Sequence, residues 1–351
     1  MHDTNRIRLV SGSYNSADNE GIRSLAFNAE TGALSVEEGL AGVENPSFLA
    51  YAEEADRLFA VSETADGGAV VAIGRGAAGW SETNRQPTFG DYPCHLTIDA
   101  SGNWLLLVNY EGGPICVYPI QEDGSLGPIS DTVAHEGSSV NAERQKCPHP
   151  HAIYPIPHTD LYLVNDLGTD TIYTYKLDRA NGKLMLLRQM KAAPGAGPRH
   201  LAFHPSLPFV YVIEELANAV SVLELDRAAG SLSHRQTLPT LPPGFTGSNT
   251  CAEVAVSEDG RYVYGSNRGH DSIASFRVGE DGLLEPIGHT PSGGQTPRHF
   301  LLVPGGRWLL AANQDSDRIA VLSIGEDGYP SLTDRFCELT KPVCIRLGGN
   351  S

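Results

Sequence analysis

Short runs of β-branched, aromatic and aliphatic residues with period-two character recur along the whole chain, and helical periodicity is almost absent. A proline-led segment that turns apolar recurs with them: PSFLA from Pro46, PCHLTI from Pro93, PHAIY from Pro150, PRHLAF from Pro198 and PRHFLL from Pro297. Cys251-Ala252-Glu253-Val254 and Pro342-Val343-Cys344-Ile345 fill the same place, which makes seven starts. Each first strand is followed by a turn such as SGNW, SEDGRY or PGGRW and a second strand such as LLLVNY, YLVND, VYVIEE, YVYGSNR or LLAANQ. A third strand (ICVYPI, TIYTYKL, VSVLEL, SIASFRV, IAVLSI) meets a tight turn of the QEDGSL, DRANGKL or GEDGLL kind. Gly and Asn accept the positive φ that such hairpins require. Four short strands in a unit of roughly 45–57 residues is the geometry of a propeller blade.

The seventh start, at Pro342, is followed by too few residues to build a blade. The missing strands are available at the other end, in IRLVSGSY, IRSLAFNAETG and ALSVEEG, where NAETGAL repeats the hairpin signature. The expected fold is therefore all-β: a seven-bladed β-propeller of four-stranded antiparallel blades, one domain over residues 1–351. N- and C-terminal strands share a blade and remove the free sheet edges. No composition shift or Pro/Ser-rich spacer suggests a second domain.

Charge changes the list of partners. Lys and Arg number 25 against 42 Asp and Glu, a formal −17, so nucleic acid and anionic membranes are not expected partners. An anionic substrate would need local Arg or His to reverse that field. No apolar run reaches bilayer length and no signal-peptide pattern opens the chain, so a cytoplasmic location is expected. The 6 cysteines are spread out with no CxxC, as small buried thiols in a reducing compartment would be.

A blade can be built from apolar and turn residues alone, so polar residues at strand ends are the candidates for chemistry. His95, His151, Arg199 with His200, and Arg298 with His299 stand at nearly the same register of successive first strands. Alternation predicts that one member of each Arg-His pair faces the channel while the other packs. Glu63, Asn109, Asn165, Glu214-Glu215, Asn267-Arg268 and Asn313-Gln314 form a second ring at the ends of the second strands. Asn109, Asn165 and Asn313 are read as turn caps that bond neighbouring blades. Glu215 and Arg268 would be costly to bury unpaired, which points to a wet, charged pocket. The longest insertion, DTVAHEGSSVNAERQKCPHP, carries His135, Asn141, Arg144, Gln145 and His149 and is placed to roof the channel mouth; LPPGFTGSNT is a second irregular stretch.

Dinucleotide, P-loop, HExxH, GxSxG and EF-hand motifs are all missing. Arginines beside the histidines oppose a cation, so no metal is expected; they suit a carboxylate or phosphate.

The runs HEGSSVNAERQKCPHPH, NDLGTDTIYTYKLD, PGAGPRHLAFHP, TGSNTCAEVAVSEDGRYVYGSNRGHDSIASF and GGQTPRHFLLVPGGRWLLAANQDSD resemble the propeller-type 6-phosphogluconolactonase family, over essentially the whole chain. That superfamily includes fungal carboxy-muconate lactonising enzymes. Their proposed active-site residues, one His, one Glu and two Arg, map by similarity onto His151, Glu215, Arg199 and Arg268, with Arg144, His95, His149, Arg298 and His200 as further candidates for substrate binding. Glu214 stands where the family usually has Asn, and a carboxylate there would repel an anion. The resemblance implies cofactor-independent hydrolysis of a small anionic sugar lactone, 6-phospho-D-glucono-1,5-lactone, in the oxidative pentose phosphate pathway. Two alternatives stay open: a lactonase or lactonising lyase for another carboxylated or sugar lactone, and a non-catalytic propeller that binds a protein. Monomer and homodimer are equally compatible with the chain.

Overall fold

The computed structural model describes residues 5–52, 55–77 and 79–349, so the outermost positions of the expected 1–351 domain, 1–4 and 350–351, lie outside the described residues. Seven four-stranded antiparallel sheets are present. Six are sequential, beginning at Leu49, Asp91, Pro150, Pro198, Thr250 and Pro297, and are called blades one to six. Blade seven pairs Pro342–Leu347 with Arg6–Ser13, then Ile22–Asn28 and Leu34–Leu40. The expected closure is therefore present, with Leu9↔Leu347 and Gly12↔Cys344 in register. The N-terminal strand does not cap an edge. It lies second in its sheet, with Leu9 and Val10 fully buried.

The hairpin turns use glycine as expected, at φ 63° for Gly182 and 76° for Gly282. Blade-to-blade packing buries apolar side chains from facing sheets, among them Tyr211, Ile213, Val254 and Phe276 between blades four and five. Tyrosines tie neighbours together: the Tyr211 hydroxyl donates to Gly282 O at 3.1 Å, and Tyr264 donates to Gly328 O at 2.8 Å. Each places a ring in the core and its hydroxyl on the hairpin of the next blade.

The innermost strands carry the feature that matters most for the site. Their ladders shift register near the first residues, between Pro93 and His95, Pro150 and Ala152, Pro198 and Leu201, Cys251 and Val254, and Pro297 and His299. Each shift interrupts strict alternation just where the polar residues stand. Among the described residues no helix is long and apolar enough to cross a membrane.

Candidate active site

At one end of the propeller axis lies a cavity of about 370 Å³ lined by His151, Glu215, Arg268, Arg144, Arg298 and Glu63, with Cys94, Tyr92, Tyr110, Glu111 and Thr250 completing the wall. Its centre is Glu215, which follows the strand Phe209–Glu214 and is 3% exposed. Three arginines converge on this carboxylate. Arg144 Nη2 donates to Oε1 at 2.7 Å, Arg199 Nε to Oε2 at 3.0 Å, and Arg268 Nη2 lies 2.8 Å from Oε2. Burial alone would raise the Glu215 carboxyl, but Arg268, Arg199 and Arg144 together hold it well below the carboxylate range, so it is ionised at neutral pH. Arg268 is pulled down to about 10 by burial and stays cationic.

Two further donations fix those arginines, Arg199 Nη1 to Ala252 O at 2.8 Å and Arg268 Nη2 to Cys251 O at 2.7 Å. Arg298 stands apart from the cluster; its guanidinium lies over the Tyr14 ring, 5.2 Å from the centroid, and faces the cavity. Four guanidiniums, three on the wall and Arg199 behind it, thus gather about three carboxylates, Glu215, Glu63 and the exposed Glu111, in a chain whose overall charge is −17. This local surplus answers the problem that the overall charge posed.

His151 is 4% exposed and lies on the cavity wall, with Nδ1 buried and without a hydrogen-bond partner among the described residues. Burial first, and then Arg199 and His200, push its pKa well below the usual histidine value, so the imidazole is neutral at pH 7. Cys94 shares the wall, but burial pushes its thiol far up, which leaves it unsuited to be a nucleophile.

The remaining candidates lie behind this wall. Arg199 backs Glu215 instead of lining the cavity. His200 is held in a chain: Arg199 Nη1 is 3.3 Å from its Nε2, and its Nδ1 is 2.9 Å from Glu253 Oε2. An arginine can only donate, so His200 carries its proton on Nδ1 and gives it to Glu253. His299 Nε2 meets the same Glu253 oxygen at 3.2 Å. His95 packs tilted against Phe48, with centroids 4.1 Å apart, and His149 stacks on Tyr110 at 4.5 Å. The expected division holds for one Arg-His pair: Arg298 faces the cavity while His299 packs behind it on Glu253. In the other, where the ladder shifts between Pro198 and Leu201, neither residue lines the cavity, and Arg199 and His200 reach the buried carboxylates of Glu215 and Glu253.

The insertion does reach the mouth. Asp166 accepts from His149 N at 2.9 Å and contacts His135 Nδ1 at 2.7 Å, while Asp170 accepts from Gln145 Nε2 at 2.7 Å and Ser139 Oγ at 2.5 Å. Thus anchored, the loop carries Arg144 onto Glu215 and onto the Tyr110 hydroxyl at 3.0 Å. Asp166, Asp170 and Glu253 gave no signal in the sequence, because each acts on partners distant along the chain. Asn109 and Asn165 bond neighbouring segments as read, donating to Thr88 O at 3.2 Å and Arg199 O at 3.1 Å. Glu214 does not crowd the anion site. Alternation turns it away from Glu215, into a separate cavity where it accepts from Ser221 Oγ at 2.6 Å, and burial raises its pKa. Among the described residues no cluster of His, Cys, Asp or Glu is arranged to hold a metal ion.

The sequence matches the family described as "Lactonase, 7-bladed beta-propeller" over residues 8–347. It is 38% identical over 298 residues to a 6-phosphogluconolactonase of Bacillus subtilis, covering 84% of each chain. A 6-phosphogluconolactonase of Formosa agariphila is 31% identical over 294 residues, covering 81% of this chain and 82% of its own. Among solved structures, a periplasmic gluconolactonase of Pseudomonas aeruginosa superposes with a TM-score of 0.90 at 29% identity, covering 97% of this chain and 98% of that one. Taken with the closed ring and its arginine-rich cavity, these matches make the chain a member of the seven-bladed β-propeller lactonase family, related to 6-phosphogluconolactonase and active as an ester hydrolase.

Proposed function

We propose that the protein hydrolyses 6-phospho-D-glucono-1,5-lactone to 6-phosphogluconate, in the cytoplasm and within the oxidative pentose phosphate pathway. The observation that carries this reading is the convergence of Arg298, Arg144 and Arg268 on the cavity wall, with Arg199 behind it on Glu215. Arg298 and Arg144 take the phosphate, because their forks suit bidentate contact with its oxygens. The six cysteines are all unpaired, in keeping with a reducing compartment.

In this reading neutral His151 removes a proton from water as it adds to the lactone carbonyl carbon. The negative charge that develops on the carbonyl oxygen is met by the Arg268 guanidinium. Collapse breaks the bond from that carbon to the ring oxygen, and the proton held by His151 passes to the ring oxygen as it leaves. Glu215 stays ionised throughout, holding Arg199, Arg268 and Arg144 in place. Water adds across one ester bond, so no cofactor is consumed.

The relatives support both a phosphorylated and an unphosphorylated gluconolactone as substrate. Turnover of the two, corrected for spontaneous opening at pH 6–7, separates them. A preference for the phosphorylated lactone of about tenfold or more in kcat/KM fits an arginine-phosphate contact. Equal rates on both would remove the phosphate site from the reading, and no turnover of either would remove the reading itself.

A further inference from the structure

The cavity holds a second inner carboxylate whose surroundings are unlike those of Glu215. Glu63 follows the strand Arg57–Ser62 in blade one and lines the same wall as His151 and Arg298. The Tyr14 hydroxyl lies 3.0 Å from each of its carboxylate oxygens, and Ser47 Oγ donates to Oε2. Its backbone is fixed as well: Glu63 N donates to Asn45 O at 3.1 Å and Asn45 Nδ2 donates to Glu63 O at 3.2 Å. The carboxylate is thus aimed by neutral hydroxyls, whereas Glu215 is bound by three arginines.

Two consequences follow. A carboxylate offers about four lone-pair positions, and these two hydroxyls leave acceptor capacity unused on the cavity side. Its charge is not cancelled by a contacting guanidinium, so it attracts O–H donors and repels a second carboxylate. The fold does not require an acid here. The residue that follows the second strand is Leu167 in blade three and Gln314 in blade six. Tyr14 is a dependable donor, since burial and the Glu63 charge raise its pKa and keep it protonated.

We propose that Glu63 determines specificity: it accepts hydrogen bonds from the ring hydroxyls of a polyhydroxylated lactone and disfavours lactones that carry a carboxylate in its place. The inference rests on the sugar-lactone reading above and adds the residue that would separate sugar lactones from carboxylated ones.

The test compares D-glucono-1,5-lactone with δ-valerolactone, the same six-membered ring ester without hydroxyls, in wild type, Glu63→Gln and Glu63→Asp. Glu63→Gln should lower kcat/KM for the sugar lactone at least about tenfold, chiefly through KM, because a site built to hydrogen-bond a hydroxyl discriminates strongly. δ-Valerolactone should change less than about threefold, since it makes no such bond. Glu63→Asp keeps the charge but withdraws it by one methylene, and it should lower the same ratio even if the Gln variant does not fold. Equal losses on both lactones would mean a general structural role and would overturn the proposal, as would no loss on either. A wild type that opens δ-valerolactone but no sugar lactone would defeat the sugar-lactone reading and this inference with it; a wild type active on sugar lactone with an unchanged ratio would defeat this inference alone.

Discussion

The four histidines around the axis make the protein's stability depend on pH in a direction that follows from their burial. His95, His151, His200 and His299 are 1%, 4%, 2% and 3% exposed. Burial pushes the first three well below the usual histidine value and His299 down to about 3. In the unfolded chain each titrates near 6.5. Above that value both states are neutral and the stability is complete. As pH falls through it, only the unfolded chain takes up protons, so the folded state loses ground. Between pH 7.5 and 5.5 each such histidine costs about 1.4 kcal/mol, and four together cost about 5.5 kcal/mol. Should the Glu253 carboxylate let one of its two histidines protonate in the fold, the loss falls to about 4 kcal/mol. Glu215 contributes nothing in this window. Its pKa is lowered by folding, so its stabilisation persists until pH drops below the ordinary carboxylate value and is lost beyond it. Urea unfolding at pH 7.5, 6.5 and 5.5, followed by tryptophan fluorescence, measures the change. His95→Asn should reduce the loss by about a quarter. A stability that moves by less than about 1 kcal/mol across the window would refute the burial of neutral imidazoles at the axis.

Deleting residues 1–15 removes the strand Arg6–Ser13 from between Pro342–Leu347 and Ile22–Asn28, and stability should fall by several kcal/mol, about what two buried aliphatic side chains and a lost ladder contribute; an unchanged melting temperature would contradict the closure. His151→Ala should lower kcat about 100-fold or more while leaving melting nearly unchanged, and the acidic limb of kcat/KM in the wild type should lie below pH 6.5 because burial depresses the imidazole. Glu215→Gln leaves three arginines without their shared carboxylate and should cost about 3–5 kcal/mol of stability together with most activity. Arg298→Lys should raise KM for the phosphorylated lactone about tenfold and leave the unphosphorylated one alone, since a point charge cannot replace the fork; equal effects on both substrates would place the phosphate elsewhere.

Blade count, strand order and ring closure were legible in the amino-acid sequence because they depend on local signals that repeat. A period-two apolar run, a glycine that accepts positive φ and a proline at the start of a strand carry the same meaning wherever they stand. The same repetition placed His151, Glu215, Arg268 and Arg298 near one end of the axis, since equivalent positions in a closed ring must converge. What the side chains do there was decided by tertiary structure. Alternation predicted one channel-facing residue in each Arg-His pair, which Arg298 and His299 obey, but at the ladder shift after Pro198 both Arg199 and His200 turn to buried carboxylates behind the cavity wall. Glu214 and Glu215 are neighbours in sequence, yet one meets three arginines and the other a serine hydroxyl in a different cavity. The sharing of Glu215 by Arg144, Arg199 and Arg268 joins the inserted loop to blades four and five, and the aiming of Glu63 by Tyr14 and Ser47 joins blade seven to blade one. Electrostatic partners separated by tens of residues leave no periodic trace in a sequence. They come into contact only when the ring closes and buries them together, and that burial sets both their charges and their chemistry.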